Sequence, residues 1–163
     1  MAIKVNDDVG PFFQSKKGLR QGDPLSPMLF NIIADMLALL INRAKAERQI
    51  CGAVPHLVDG GISVLQYADD TILFMDHDRD KARKMMLLLC AFEKLSRLKI
   101  NFHKSELYCF GDAQAMEDHY TELFGCASGN FPFRYMGIPI HYKKLRNADW
   151  KGVEERLEKR LNS

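Results

Sequence analysis

Two long segments of the chain repeat apolar residues at the spacing of one helical face. The first begins at Ser26-Pro27, and its polar residues Asn31, Asp35 and Asn42 fall on a single stripe. Serine caps free backbone amides and proline suits the first helical position, so a helix is predicted over 26–47. Because the rest of this segment is apolar, most of its circumference is predicted to be buried.

The second segment predicts a helix over 78–98. Its core side is expected to consist of apolar residues three and four positions apart, namely Ala82, Met85, Leu89 and Phe92. A third helix is predicted over 113–124. Asn147 is predicted to cap a last helix, whose apolar stripe consists of Trp150, Val153, Leu157 and Leu161.

Shorter apolar runs between turn-forming residues predict strands. These runs cover 3–5, 11–14, 62–66, 71–75 and 106–110, and 131–142 is a strand pair broken by Gly137 and Pro139. The order of strands, helix, hairpin, helix and strand predicts an α+β fold with helices against an antiparallel sheet. A chain of 163 residues is long enough for one such domain with its own core.

Composition adds little to this picture. An apolar content of 47% and a net charge of +2 are ordinary for a soluble globular protein, so any attraction for nucleic acid must be local. Basic residues cluster in three places: Lys16, Lys17 and Arg20; Arg79, Lys81, Arg83 and Lys84; and Lys143, Lys144 and Arg146. Such clusters can neutralise phosphates in salt-dependent binding, although solvated surfaces carry similar runs of charge.

The four cysteines are scattered, and neither they nor the five histidines fall at zinc-ligand spacings. We therefore expect reduced thiols in an intracellular protein, with nucleus and cytoplasm both open. The start of the chain has no apolar run of signal-peptide length. The most apolar stretch, 28–41, is predicted to be too short and too polar for a membrane span. No feature indicates a membrane or a protein partner.

The candidate chemistry lies at Tyr67-Ala68-Asp69-Asp70, between two apolar strands. Neighbouring strand residues point to opposite faces, so two adjacent acids point the same way only at a turn. Exposed carboxylates on a rigid tip suit Mg²⁺, which prefers oxygen ligands, and two such ions can clamp a nucleotidyl transfer. The alternative is an ordinary surface turn, where aspartate is common for its own reasons.

Four blocks of the sequence, in order, resemble those of reverse transcriptases of non-LTR (LINE-type) retrotransposons, with a plant-like form. Gly18-Leu19-Arg20-Gln21-Gly22-Asp23-Pro24-Leu25-Ser26-Pro27 resembles the conserved loop-and-helix block, and Tyr67-Ala68-Asp69-Asp70 resembles the catalytic hairpin. Leu98-Lys99-Ile100-Asn101-Phe102-His103-Lys104-Ser105 is similar to the segment with a conserved lysine. Tyr135-Met136-Gly137-Ile138-Pro139 resembles the turn that grips the primer, and the C-terminal helix resembles the thumb entry.

This resemblance implies an RNA-directed DNA polymerase that uses an RNA template, a DNA primer, deoxynucleoside triphosphates (dNTP) and Mg²⁺ (or Mn²⁺). It implies a partial right-hand polymerase palm over 1–145, truncated at its N-terminus, and the start of the thumb over 146–163. Asp69 would be the main metal ligand and Asp70 a weaker or more distant one. Lys104 would donate a proton to the leaving pyrophosphate or neutralise it.

The remaining roles implied by the resemblance concern nucleotide and primer. Gln21 and Gly22 would lie beside the incoming nucleotide, and Arg20 would contact phosphate or template. Met136 and Gly137 would support the primer backbone. Tyr67 is expected to pack under the hairpin rather than to touch substrate.

The sequence departs from the family pattern before Gly18, where the family has another catalytic aspartate on a strand several tens of residues upstream. The sole candidates, Asp7 and Asp8, lie in a turn and correspond better to a hairpin there. We therefore expect that the chain alone does not polymerise, and that a sheet edge is left unpaired. A palm like that of group II intron maturases, a non-catalytic nucleic-acid-binding remnant and an inert remnant are the alternatives.

Overall fold

The computed structural model of the protein describes residues 2–14, 22–55, 58 and 60–162. Within these residues the chain combines four α-helices with short strand pairs, which confirms the predicted α+β class. The core lies where the three helices α1 (Leu25–Ala46), α2 (Arg79–Ser96) and α3 (Glu117–Phe124) meet. Its buried apolar residues are Leu37, Ile41, Ala44, Ile50, Ala82, Met85, Leu89, Phe92, Tyr120 and Phe124.

Helix α1 begins one residue before the predicted start and ends one residue before the predicted end. Asp23 holds its first turn, since Asp23 Oδ1 accepts the backbone N–H of Leu25 at 2.9 Å. The prediction that Ser26 caps this helix was wrong, because Ser26 already lies inside the first turn. An aspartate upstream supplies the acceptor that a free helical amide requires.

One face of α1 is packed and the opposite face is exposed. Leu37, Ile41 and Ala44 are buried, whereas Met28 and Ile32 are 62% and 65% exposed. The prediction that most of the circumference is buried was therefore wrong. Periodicity shows which residues are apolar but not which of them the fold covers. Helix α1 packs on α2 and on the strand over Val64–Tyr67.

The 22 residues of α1 also bear on the predicted absence of a membrane span. By length and composition this helix is apolar enough to cross a membrane, so the argument that the stretch is too short does not hold. The core helix of a soluble protein passes the same criterion. Its buried face belongs to the core described above, with Ile41 completely buried.

Helix α2 confirms the predicted core side, because its four buried residues are the four that the sequence singled out. Asp78 caps its N-terminus, and its carboxylate accepts the N–H groups of Lys81 at 3.0 Å and Asp80 at 2.8 Å. These two hydrogen bonds, of which the one from Lys81 has the larger effect, hold the pKa of Asp78 below its usual value. The stability that they contribute is therefore present above the unfolded pKa and lost as pH falls through the lowered one.

The N-terminal strands form a tight hairpin of β1 (Lys4–Val5) and β2 (Asp8–Val9), with Lys4 opposite Val9. Asn6 and Asp7 turn the chain with φ of +50° and +60°. The prediction of a strand over 11–14 was wrong. Asparagine and aspartate tolerate the left-handed region, so the chain reverses within two residues and the next two become the partner strand.

The other strands are β3 (Val64–Tyr67), β4 (Asp70–Leu73), β5 (Glu106–Leu107), β6 (Ala127–Ser128), β7 (Phe133–Tyr135) and β8 (Ile138–Ile140). In the described part of the chain they form separate pairs rather than one sheet, and β5 pairs with β6 in parallel. Pro139 lies inside β8, opposite Arg134, so the break in the predicted strand pair is at Met136 and Gly137 alone.

Two helical predictions needed adjustment at their starts. The segment Gly111–Met116 is a 3-10 helix, and the α-helical turns of α3 begin only at Glu117. Helix α4 (Asn147–Leu161) includes Asn147 as its first residue, so Asn147 is not its cap. Asp149 closes this end instead, because its Oδ2 accepts the backbone N–H of Arg146 at 2.7 Å. A carboxylate three residues into the helix reaches back as in a capping box.

Candidate active site

The predicted acidic hairpin is confirmed in β3 and β4. Tyr67 pairs with Asp70, so the turn consists of Ala68 and Asp69 alone and Asp70 is the first residue of β4. Both aspartates are exposed. Ala68 has φ of +52°, a left-handed conformation that costs a residue with a Cβ about 1–2 kcal/mol. The turn therefore holds the two adjacent carboxylates at the tip at the expense of some backbone strain.

Hydrogen bonds tie this hairpin and the segment before it to helix α1. Gln66 Nε2 donates to the backbone oxygen of Ala34 in α1 at 3.3 Å. The ladder continues past β3 and β4, where Phe74 donates to the oxygen of the buried Ser63 at 2.9 Å. Lys45 Nζ donates to the oxygen of Gly61 at 2.8 Å. These contacts fix the hairpin against the packed face of α1, and sequence patterning gave no sign of Lys45 or Gln66.

Tyr67 is 59% exposed, so the prediction that it packs under the hairpin was wrong. The reason is the two-residue period of the strand. Val64 and Gln66 are half-buried toward α1, whereas Leu65 and Tyr67 are exposed on the opposite face. The tyrosine ring consequently lies on the open side of the hairpin, beside the carboxylate tip.

The donor set at the tip fits a hard cation in part. Carboxylate oxygens are the ligands that Mg²⁺ prefers, and it commonly uses one or two of them with water and phosphate completing its shell. Asp69 and Asp70 form no ion pair with another described side chain. Over residues 2–14, 22–55, 58 and 60–162, no three His, Cys, Asp or Glu side chains gather in a metal-binding group.

Asp7 and Asp8 belong to the separate β1–β2 hairpin. Asp7 is in its turn and forms an ion pair with Lys4 at 2.8 Å, and Asp8 begins β2. The placement agrees with the expectation that these two acids are hairpin residues. It leaves Asp69 and Asp70 as an isolated pair among the described carboxylates.

Lys104 ends a short 3-10 turn, Phe102–Lys104, that follows α2. Asn101 Oδ1 accepts the backbone N–H of Lys104 at 3.2 Å, which fixes the turn while the lysine stays exposed. Within the described residues no hydrogen bond or ion pair joins Lys104 to the hairpin.

Of the predicted nucleotide-contacting residues, Arg20 and Gln21 lie outside the described residues. Gly22 is described, with φ of +84°, a conformation that favours glycine. Among the described residues, no heavy atom beyond the chain neighbours would lie within 4 Å of a Cβ placed there, so the described part of the chain leaves the backbone at Gly22 open to approach. This space is compatible with the role that the resemblance implies.

Met136 and Gly137 form the two-residue turn between β7 and β8, with φ of +52° and +82°. Two positive values are typical of the tight turns of β-hairpins. Met136 is 53% exposed, and the oxygen of Gly137 accepts an Arg156 guanidinium N–H from helix α4. Sequence reasoning missed Arg156. Its Nε also donates to the backbone oxygen of Gly152 at 2.9 Å, and no local sequence pattern marked its contact with Gly137.

The three predicted basic clusters differ in the structure. The first, Lys16, Lys17 and Arg20, lies outside the described residues. In the second, Lys81 is half-buried and donates to the thiol of Cys51 and to the carboxylate of Asp76, both at 3.0 Å, and these contacts raise its pKa. In the third, Lys143 and Lys144 are exposed. Arg79, Arg83 and Lys84 of the second cluster are exposed as well.

Comparison with known proteins identifies the class. A family model for reverse transcriptase (RNA-dependent DNA polymerase) matches residues 2–140, so the chain belongs to the reverse transcriptase family. Over 89 residues it is 33% identical to the retrovirus-related Pol polyprotein from type-1 retrotransposable element R2 of Popillia japonica, covering 55% of this chain and 14% of that polyprotein. Over 55 residues it is 42% identical to an uncharacterized mitochondrial protein of Arabidopsis thaliana, covering 34% and 45%.

These matches confirm the predicted family and its retrotransposon relatives. They also show that the chain spans about a seventh of the R2 polyprotein and less than half of the Arabidopsis protein. The activity, substrates and partners of those longer proteins are therefore not established for this chain.

Proposed function

We propose that the chain carries the catalytic hairpin of a LINE-type RNA-directed DNA polymerase, whose substrates are an RNA template, a DNA primer and dNTP. The observation that supports this most is the exposed Asp69-Asp70 tip on a hairpin anchored to α1, in a chain of the reverse transcriptase family. Strained backbone conformations are common where function requires a side chain to be held in one particular position. Ala68, directly before Asp69, has such a conformation.

In this proposal Asp69 is the main ligand of Mg²⁺ or Mn²⁺, and Asp70 is a weaker one. A bound divalent metal would stabilise the charge that develops on the transferring phosphoryl group. The proposal assigns nucleotide and template contacts to Gly22, Gln21 and Arg20, and neutralisation of the leaving group to Lys104. In the same proposal, the Met136–Gly137 turn supports the primer backbone and Tyr67 lies on the open face of the hairpin.

The larger arrangement is part of the same proposal. Residues 1–145 form part of a polymerase palm, and 146–163 begin the thumb. Arg156 links the two parts, because it joins α4 to the oxygen of Gly137 in the turn that would hold the primer. A displacement of α4 would therefore move or break this hydrogen bond to the turn.

Metal binding at the tip can be tested without activity. When Fe²⁺ replaces Mg²⁺ and is treated with ascorbate and peroxide, we expect backbone cleavage within about 67–71, suppressed by excess Mg²⁺. The double variant Asp69→Asn, Asp70→Asn should lose this cleavage, measured by mass spectrometry of the fragments. Asp7→Asn, Asp8→Asn is the matched control, because it removes two adjacent exposed acids from another two-residue hairpin. Equal loss in both variants would contradict the site.

Polymerisation by the chain alone is expected to be absent. Two carboxylates without a third leave metal and phosphoryl charge less well stabilised. The measurement is extension of a labelled DNA primer on an RNA template with Mg²⁺, with the fold checked by circular dichroism. Extension that disappears in Asp69→Asn, Asp70→Asn would show that the chain is active and that the proposed need for a further carboxylate is wrong.

A second candidate is a non-catalytic nucleic-acid-binding remnant. The exposed Lys143 and Lys144 favour it, because they are available for phosphate contacts whether or not the hairpin binds metal. The iron-directed cleavage separates the candidates: a remnant without a metal site binds nucleic acid but shows no cleavage at 67–71.

A further inference from the structure

Six aromatic rings from distant parts of the sequence meet beside β7 and β8. They are Tyr108, Phe110, Phe131, Phe133, His141 and Tyr142. Tyr108 stacks on Phe133 with ring centroids 4.2 Å apart, which joins the end of β5 to β7. Such a cluster by itself is compatible with a small satellite core.

One pair of rings in this cluster is stacked at the surface rather than buried. The rings of Phe110 and Tyr142 are nearly parallel, at 12° with centroids 5.4 Å apart, and Phe131 meets both of them edge-on. Yet Phe110 is 51% exposed and Tyr142 is 42% exposed. The edge-on ring holds two parallel aromatic faces in place at the surface, where planar groups from solution can reach them.

Two lysines adjoin the Tyr142 side of this pair, and the exposed Asp112 lies two residues after Phe110. Tyr142 is followed directly by Lys143 and Lys144, both exposed, and Lys143 Nζ lies 5.2 Å from the centre of the Tyr142 ring. Neither lysine forms an ion pair with a described side chain. The nearest acid along this segment, Asp149, is turned to the backbone N–H of Arg146.

We infer that Phe110, Tyr142, Lys143 and Lys144 form a binding surface for single-stranded nucleic acid. A base stacks on the exposed aromatic pair, and the two lysines neutralise the adjoining phosphates. Every base has a π face, so this surface binds with little sequence preference. It goes beyond the proposed function because it requires no metal, no Asp69 and no Asp70.

Abasic oligonucleotides separate stacking from charge. We expect the whole chain to bind fluorescein-labelled dT12 and U12 about 5- to 150-fold more tightly than an abasic 12-mer with the same phosphates, by fluorescence anisotropy. Phe110→Ala, Tyr142→Ala should abolish this preference, whereas Tyr142→Phe keeps it. Phe12→Ala is the control, because Phe12 is an exposed ring, at 86%, outside the cluster.

The lysines have their own signature. In Lys143→Gln, Lys144→Gln, the fall of log affinity with log salt should be less steep by about 1.4, which corresponds to two single-strand phosphate contacts. The preference for bases should persist. Asp69→Asn, Asp70→Asn should keep the preference for dT12 over the abasic strand, so a failed metal site leaves this result intact. Equal binding of dT12 and the abasic strand by the unchanged chain would overturn the inference. Binding of an acidic peptide with the same affinity as dT12 would overturn it as well.

Discussion

Ile41→Ala is expected to lower the free energy of unfolding by about 2–5 kcal/mol. Ile41 is completely buried at the centre of the packed face of α1, so the change removes apolar contacts and leaves a cavity. Urea unfolding followed by circular dichroism measures the loss, provided that the slope of the transition is unchanged. A loss of this size is a large fraction of the free energy of unfolding of a domain of this length.

Leu39→Ala is the matched control on the same helix. Leu39 is 69% exposed, and an exposed substitution away from special features changes stability by about 0.5 kcal/mol or less. If Leu39→Ala cost as much as Ile41→Ala, the face of α1 opposite the core would be covered in solution. The pair of variants therefore tests the one-sided packing of α1 directly.

Gly61→Ala is expected to destabilise the base of the acidic hairpin by about 2–4 kcal/mol. Gly61 has φ of +70°, and a Cβ there would lie 2.8 Å from the oxygen of Ala53 and from the backbone of Gly52. These are backbone atoms that cannot swing aside. The change should also weaken the Lys45 contact to the Gly61 oxygen, and urea unfolding measures the combined effect.

Gly60→Ala separates conformation from contact. Gly60 has the same φ of +70°, but among the described residues the nearest atom to a Cβ there is the flexible end of Lys45 at 3.9 Å. We expect only the cost of a left-handed alanine, about 1–2 kcal/mol. Losses of equal size at both positions would show that the close approach of Gly52 and Gly61 does not constrain the hairpin.

Much of the helical framework followed from the sequence because it depends on local order. The buried side of α2 was predicted residue by residue, since Ala82, Met85, Leu89 and Phe92 recur at the period of a helix. The acidic hairpin was predictable for a similar reason. Apolar strands on both sides of a short polar segment allow few other arrangements, although its turn proved to be two residues long.

The errors arose where a neighbour distant in sequence decides the outcome. Whether Tyr67 is covered depends on which face of the hairpin meets α1, and the contact from Gln66 to Ala34 settled that. The exposed side of α1 could not be foreseen from its composition. The strand misplaced to 11–14 was a local error, because the turn at Asn6 and Asp7 was not recognised as a complete two-residue reversal.

The sequence by itself determined the family of this protein, the α+β class and the position of its paired aspartates, because motifs and periodicities are properties of neighbouring residues. Only the tertiary structure decided which faces are covered, that Arg156 reaches the turn at Gly137, and that Phe110 stacks on Tyr142. These contacts join residues 19 and 32 positions apart. Such contacts form only when folding closes the intervening chain, and no local pattern records which pairs will meet.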